Sequence, residues 1–381
     1  MNPYGRQHIT QADIEAVIAT LQSDYLTQGP AITQFENNFA QYIGCKYAVA
    51  VTNGTAALHL AAMALGVKAG SKVITTPITF AASANCIKYC GGDVDFVDID
   101  PQTFLLDIDK VRAKLAAAPK GTYCGIVPVD FAGYPIDMEA YRQLANEYGL
   151  WLLEDACHAP GAYFTDSKGI PQMCGNGQFA DAAIFSFHPV KHIATGEGGM
   201  ITTNRQDIYE QLLLLRTHGI TKNPALMSKN DGGWYQEMLL LGYNYRLSDI
   251  LATLGNSQLQ RANEGMQRRQ QIAQRYMAAF KGTNVQYTQL PNGAYHGYHL
   301  FVIQTEHRLE LYNHLQSQQI FAQVHYVPCH LHPYYRQQGW TDGDLPHAEH
   351  YYSRTLSLPM YPTLTNQQQD FVIEQVLAIC G

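Results

Sequence analysis

From residue 47 to residue 202 the chain alternates short apolar runs with stretches whose apolar residues recur at helical spacing. The runs at 47–51, 72–75, 94–97, 125–129, 151–155, 182–187 and 199–202 predict strands. The segments following Gly54, and those at 81–89, 108–118 and 138–148, predict the helices between them. Consecutive strands separated by helices are joined by crossovers, which makes them parallel neighbours in one sheet with helices on both faces. Such a sheet binds ligands at the carboxyl ends of its strands. Three stretches there carry chemistry.

The first is Thr52-Asn53-Gly54-Thr55-Ala56, between a strand and a helix on which Leu58, Ala61, Ala62 and Leu65 share a face. Gly54, Thr55 and Ala56 sit at the helix start, where free N–H groups and the positive dipole end attract an anion such as a phosphate. The same residues also read as a plain Asn/Thr cap. The second is Glu154-Asp155-Ala156, where Asp155 ends an apolar strand. A carboxylate there is costly unless a cation faces it, although an Asp that caps the next segment is common. The third runs from Phe185 through Ser186, His188 and Lys191 to Gly199. A lysine buried in an apolar, glycine-rich turn loses affinity for its proton, and an uncharged amine condenses with an aldehyde. A solvated turn lysine is the ordinary alternative. Together the three describe a pyridoxal phosphate site, with a lysine for the Schiff base, an acid for the ring nitrogen and a helix start for the phosphate.

The rest of the chain sets the frame. At 381 residues it is long enough for two domains sharing a cleft. The expected division is 1–250 for a large domain and 251–381 for a smaller α+β domain, with the N-terminal segment free to pack on the latter. Helices are predicted at 12–23, 31–42 and 209–216, and a long one is expected from about 249 to 280. Beyond it, strands are expected at 298–304 and 321–326, and helices at 308–318 and 367–379. The segment 223–233 is polar and glycine-containing, a loop. Net charge is -7 without a lysine or arginine cluster, which disfavours nucleic acid and anionic membrane as partners. The first residues lack a basic and an apolar leader region, and a cytoplasmic location is expected. Eight cysteines without CxxC pairs read as reduced thiols. His325, Cys329, His330 and His332 lack zinc spacing, and no metal site is expected.

Asn53-Gly54-Thr55-Ala56-Ala57-Leu58, Glu154-Asp155-Ala156, Ser186-Phe187-His188 with Lys191, Gly196-Glu197-Gly198-Gly199 and Asn244-Tyr245-Arg246 resemble the motifs of the DegT/StrS sugar aminotransferases nearly end to end. The resemblance implies an α/β, fold-type I pyridoxal phosphate enzyme that works as a homodimer with shared active sites. Pro3-Tyr4-Gly5-Arg6-Gln7, Leu26-Thr27-Gln28-Gly29-Pro30 and Ala322-Gln323-Val324-His325-Tyr326 before Pro328 resemble one branch of it. That branch aminates C4 of a UDP-linked 4-keto-6-deoxy-N-acetylhexosamine toward pseudaminic acid. His158 agrees with that branch, since most relatives carry glutamine there, although a loop histidine satisfied by backbone is the plainer reading.

In the implied roles, Lys191 forms the Schiff base and shuttles the proton, and Asp155 pairs with the ring nitrogen. Gly54, Thr55, Ala56 and Ser186 hold the phosphate, Phe80 stacks on the ring, His158 faces it, and Asn244 reaches the phosphate in the other subunit. L-glutamate is the implied amino donor. Tyr4, Arg6, His325 and Tyr326 are candidates for substrate contacts, with Arg246 a further candidate for a carboxylate. Competing readings are an aminotransferase for another nucleotide 4-ketosugar (bacillosamine-type UDP, dTDP or GDP), a deoxygenating relative, and a non-catalytic regulatory protein of the same fold. Deoxygenating relatives replace the lysine with histidine, and Lys191 argues against them. The intact Lys191, Asp155 and Ser186 argue against a protein without turnover.

Overall fold

In the computed structural model, which describes residues 1–290 and 293–381, seven strands form the central sheet. They are β1 (Tyr47–Val51), β2 (Lys72–Thr75), β3 (Asp93–Phe96), β4 (Gly125–Val127), β5 (Trp151–Asp155), β6 (Ala182–Ser186) and β7 (Gly199–Thr203). Their order is β1-β7-β6-β5-β4-β2-β3. β7 runs antiparallel to β1 and β6, and the remaining neighbours are parallel. Val49, Ile74, Ile126, Leu152, Ile184 and Ile201 are all fully buried, as expected of a sheet covered on both faces. Each such side chain contributes about 1.5–3 kcal/mol.

Local sequence explains the flanking helices. Pro30–Ile43 starts on proline and ends at Gly44, whose φ of 83° closes the helix in the left-handed region. Its Ile32, Phe35, Phe39 and Ile43 face is buried, with Phe35 against Phe187 and Phe39 against Phe185. Gly54–Ala64 is buried along nearly its whole length, as an apolar helix must be, and lies over β6 and β7.

The expected helix from 249 to 280 is two helices, Asp249–Gln260 and Ala262–Phe280. The break falls at Arg261, whose guanidinium is drawn to the buried Asp13 at 2.6 Å. The first of the pair packs on Gln11–Leu21 and Pro30–Ile43, and its Ala252 shares a core with Phe35. A separate core gathers Ile272, Tyr276, Leu311, Leu356 and Val372. It carries the antiparallel sheet Gln286–Tyr287, Phe301–Gln304 and Thr355–Leu358. Leu300, Val302 and Tyr351 lie instead in the core of the large sheet, so the two bodies interlock past residue 250.

Two expected strands are shorter. The run at 298–304 becomes extended only at Phe301, because Tyr298 has φ 41°. The run at 321–326 is strand only at Ile320–Phe321, which pairs in parallel with Asn2–Pro3. The helices Pro333–Arg336 and Pro346–Arg354 were not anticipated. All eight cysteines are free thiols. Among the described residues, no helix is long and apolar enough to cross a membrane.

Candidate active site

Register brings the strand ends together. Asp155 lies opposite Ile184, Ser186 opposite Gly199, and Gly199 opposite Val51. Along this edge opens a cavity of about 450 Å³. Tyr4, Gly54, Thr55, Phe80, Asp155, His158, Ser186, Lys191, His325 and Tyr326 all line it. A wider groove of about 1310 Å³ follows β3 at the far edge of the sheet. Its charges neutralise one another, Lys88 with Asp93 at 2.8 Å and Lys110 with Asp98 at 3.1 Å. None of the sequence candidates borders it, whereas most of them line the smaller cavity.

The acid is held from two sides. Asp155 is 5% exposed; its Oδ2 accepts from the Ser83 hydroxyl at 2.6 Å and its Oδ1 from the Cys157 N–H at 3.1 Å. The carboxylate therefore caps its turn and also faces the cavity. Among the described residues it has no ion-pair partner, a costly state that a cationic ring nitrogen relieves. Behind it lie Asp130, Glu154 and Cys174, all buried. Burial drives Glu154 well above the usual carboxyl range, and the neighbouring Asp130 carboxylate adds to the effect. Asp130 is raised as well, again chiefly by burial. Two buried carboxyls so placed repel one another, which favours a proton shared between them, Glu154 being pushed up the more strongly. His330 turns instead to Glu349 at 3.1 Å, and His325 to the Ser357 hydroxyl at 2.9 Å.

Lys191 is half-buried and borders two cavities. Burial lowers its affinity for a proton; Cys157 and Asp155 oppose that shift, and Arg269 adds to it. Its Nζ lies 3.4 Å from His299 Nε2.

The helix start is an anion cradle of two N–H groups. Asn53 accepts from the Ala56 N–H at 2.8 Å through its side chain and from the Ala57 N–H at 3.0 Å through its carbonyl. The N–H groups of Gly54 and Thr55 have no partner among the described residues. The Ala56 N–H, expected to meet a phosphate, is turned to the Asn53 cap. A Cβ on Gly54 would lie 2.9 Å from Ser186 Cβ, so glycine is what lets the helix start meet the end of β6.

His158 is held by backbone, as the plainer reading has it, and also lines the cavity. Its Nδ1 accepts from the Ala132 N–H at 3.1 Å, leaving the hydrogen on Nε2, which stands 3.3 Å from the Tyr326 hydroxyl. Three candidates lie elsewhere. Arg6 borders a cavity of about 210 Å³ on the other side of Lys191, with His8 and His192. Asn244 is exposed and bridges Thr217 through its backbone; Arg246 bridges Val51 in the same way, and neither lines the main cavity of its own chain. The sequence reading missed Ser83 and His299. Ser83 carried a weak signal, a hydroxyl four residues after Thr79 on an alanine-rich helix, and the two hydroxyls are 2.7 Å apart.

The lone buried acid, the two free N–H groups beside the Ser186 hydroxyl, and the amine fit a ligand with a cationic ring nitrogen, a phosphate and an aldehyde. Comparison with known proteins agrees. The DegT/DnrJ/EryC1/StrS aminotransferase family matches residues 7–377. The spore coat polysaccharide biosynthesis protein SpsC of Bacillus subtilis is 39% identical, over 98% of this chain and 96% of its own. A UDP-4-amino-4,6-dideoxy-N-acetyl-beta-L-altrosamine transaminase of Campylobacter jejuni is 33% identical, over 100% and 97%. Among solved structures, the putative sugar aminotransferase Spr1654 of Streptococcus pneumoniae in its PMP form superposes with a TM-score of 0.90, at 27% identity over 99% and 98% of the chains. Helicobacter pylori PseC, an aminotransferase of pseudaminic acid biosynthesis, gives 0.87 at 29% identity over 99% and 98%.

Proposed function

The chain belongs to the DegT/DnrJ/EryC1/StrS aminotransferase family, whose coenzyme is pyridoxal phosphate, and from that premise we propose which sugar it aminates. The substrate is a UDP-linked 4-keto-6-deoxy-N-acetylhexosamine and the donor L-glutamate. The product is UDP-4-amino-4,6-dideoxy-N-acetyl-beta-L-altrosamine. The reading rests on one observation, that the amine of Lys191, the unpaired Asp155 and the open helix start at Gly54 share one cavity. The altrosamine transaminases at 33% and 34% identity support the choice of sugar.

When bound, the coenzyme supplies an electron sink for the carbon that gains or loses nitrogen. Asp155, held by Ser83, keeps the ring nitrogen positive. Gly54 and Thr55 give N–H groups to the phosphate, and Ser186 its hydroxyl. Phe80, 63% exposed at the cavity mouth, offers a flat apolar face to the ring. His158 would offer its Nε2–H to the coenzyme. Lys191 is the amine that would hold the coenzyme and take up and release a proton at its Nζ. Tyr4, His325 and Tyr326 line the side the sugar enters. We further propose a homodimer in which Asn244 serves the partner's site. The exposed apolar side chains of Trp234, Met238 and Leu241, which flank that segment, support it.

A second reading keeps the chemistry and changes the sugar, because the spore coat relative is more similar, at 39% identity, than the altrosamine transaminases. Incubating the purified protein with glutamate and a panel of UDP-, dTDP- and GDP-linked 4-ketosugars decides between them, with products read by mass and NMR. Fastest turnover of the UDP-4-keto-6-deoxy-N-acetylhexosamine is expected. Faster turnover of any other sugar replaces the first reading with the second.

A further inference from the structure

Among the described residues, His299 is the one side chain within hydrogen-bonding reach of the Lys191 amine, at 3.4 Å. The backbone fixes it there. The buried Arg269 donates to the carbonyls of Tyr298 at 2.9 Å, Met360 at 3.0 Å and His299 itself at 3.3 Å. On the other side, the Gly297 N–H donates to Gly133 at 2.7 Å and the Leu300 N–H to Ala132 at 3.2 Å. Between these anchors the left-handed Tyr298 turns the next side chain into the cavity. His158 closes over the ring at 4.3 Å between centroids.

Its neighbours select a tautomer. His192 lies behind it, 5.9 Å between ring centroids. His192 Nε2 is 2.6 Å from the Gly297 carbonyl, which only accepts, so Nε2 bears the hydrogen and Nδ1 is a bare acceptor. That Nδ1 and the Nδ1 of His299 are both buried without a partner among the described residues. A protonated Lys191 only donates, so the ring nitrogen 3.4 Å from it must be the one without a hydrogen. The hydrogen of His299 then sits on Nδ1, and its Nε2 is bare toward Lys191. His299 stays uncharged, chiefly through burial, with Lys191 and His158 adding to it. The charged or titratable groups around the amine are Asp155, Cys157, His158, His192, Arg269 and His325.

We propose that His299 is a positioning residue for amino transfer: its bare Nε2 accepts a hydrogen bond from the Lys191 amine. The bond steadies the amine while it carries an extra proton and leaves its lone pair clear toward the cavity when it does not. The proposal rests on Lys191 being the reacting amine.

Nitrogen-15 NMR of histidine in the folded, coenzyme-free protein reads the tautomers directly, with His299→Gln and His192→Gln used to assign the signals. Nδ1–H for His299 and Nε2–H for His192 are expected; Nε2–H or a doubly protonated ring at His299 overturns the proposal. This measurement on the wild type decides the matter even where a variant fails to fold. In the same coenzyme-free protein, the rate at which trinitrobenzenesulfonate modifies Lys191 is followed against pH by peptide mass spectrometry. His299→Phe removes an acceptor that favours the protonated amine, so the midpoint falls by about one pH unit. His299→Gln, whose amide oxygen can accept, restores it. Superimposable profiles for wild type and His299→Phe refute the proposal. In turnover, His299→Phe lowers kcat about tenfold with KM for the sugar unchanged. Survival of transfer in Lys191→Ala, by contrast, removes the role given to the lysine while leaving the tautomers as they are.

Discussion

Gly54→Ala tests the phosphate end of the site without touching a charged group. The new Cβ would lie 2.9 Å from Ser186 Cβ, 3.3 Å from its Oγ and 3.5 Å from its Cα. Carbon atoms in contact stand about 3.5–4.0 Å apart, so the helix start must retreat by most of an ångström. Neither side yields easily. Ser186 is paired with Gly199 in the sheet, and Gly54 follows the Asn53 cap. Overpacking of this kind costs about 1–3 kcal/mol of stability. Retreat also carries the N–H groups of Gly54 and Thr55 away from the phosphate. Losing one charge-assisted hydrogen bond costs about 1.5–3 kcal/mol, roughly ten- to a hundredfold in coenzyme affinity. Titrating pyridoxal phosphate into the coenzyme-free variant, followed by visible absorbance, measures the affinity, and a thermal melt measures the stability. Gly54→Ala with Ser186→Gly removes the collision; stability should return to that of Ser186→Gly alone while the affinity stays low. An affinity for Gly54→Ala within twofold of wild type, with an unchanged melt, refutes the reasoning.

Lys191→Ala should lose the visible absorbance of lysine-bound coenzyme and at least 10²–10⁴-fold of the transfer rate; a wild-type rate in the product assay would remove the lysine from the mechanism. Asp155→Asn keeps an acceptor for Ser83 but loses the charge, so it should bind some coenzyme while kcat falls on the order of a hundredfold. Wild-type kcat there would leave Asp155 as a turn cap alone. Burial raises the folded-state proton affinity of Glu154 above its unfolded value. Its stabilising effect is therefore complete below the ordinary glutamate range and is lost as pH rises toward the folded value. Glu154→Gln cannot lose that proton, and its melting temperature should fall less than wild type between pH 6 and 9. Parallel melting curves over that range would exclude the shared proton.

The cavity edge of the sheet was legible because its signals are local. A strand ends, a turn residue follows, and Asn53, Asp155 or Lys191 stands where a parallel sheet exposes its ligand side. His299 was not legible, because it lies in an aromatic run that reads as ordinary strand. Only the left-handed Tyr298, held by a buried arginine that is near in space and far in sequence, brings it to the amine. The cap at Ala56 was hidden for a related reason. Free N–H groups at a helix start are foreseeable, but which of them the cap consumes depends on the Asn53 rotamer. The break at Arg261 had no proline to announce it, since its cause is an acid at position 13. The segment at 321–326 had strand composition, but beyond a single bridge from Gln323 to Ser357 its hydrogen-bonding partner is the short Asn2–Pro3.

That last pairing orders events on the ribosome. Asn2–Pro3 leaves the exit tunnel well before its partner, Ile320–Phe321, which is made about three hundred residues later, tens of seconds at usual elongation rates. That strand must wait unpaired until then, with Tyr4 away from its place. A chain halted shortly before residue 320 would carry a finished sheet and a seated Lys191 beneath a pocket still missing one wall.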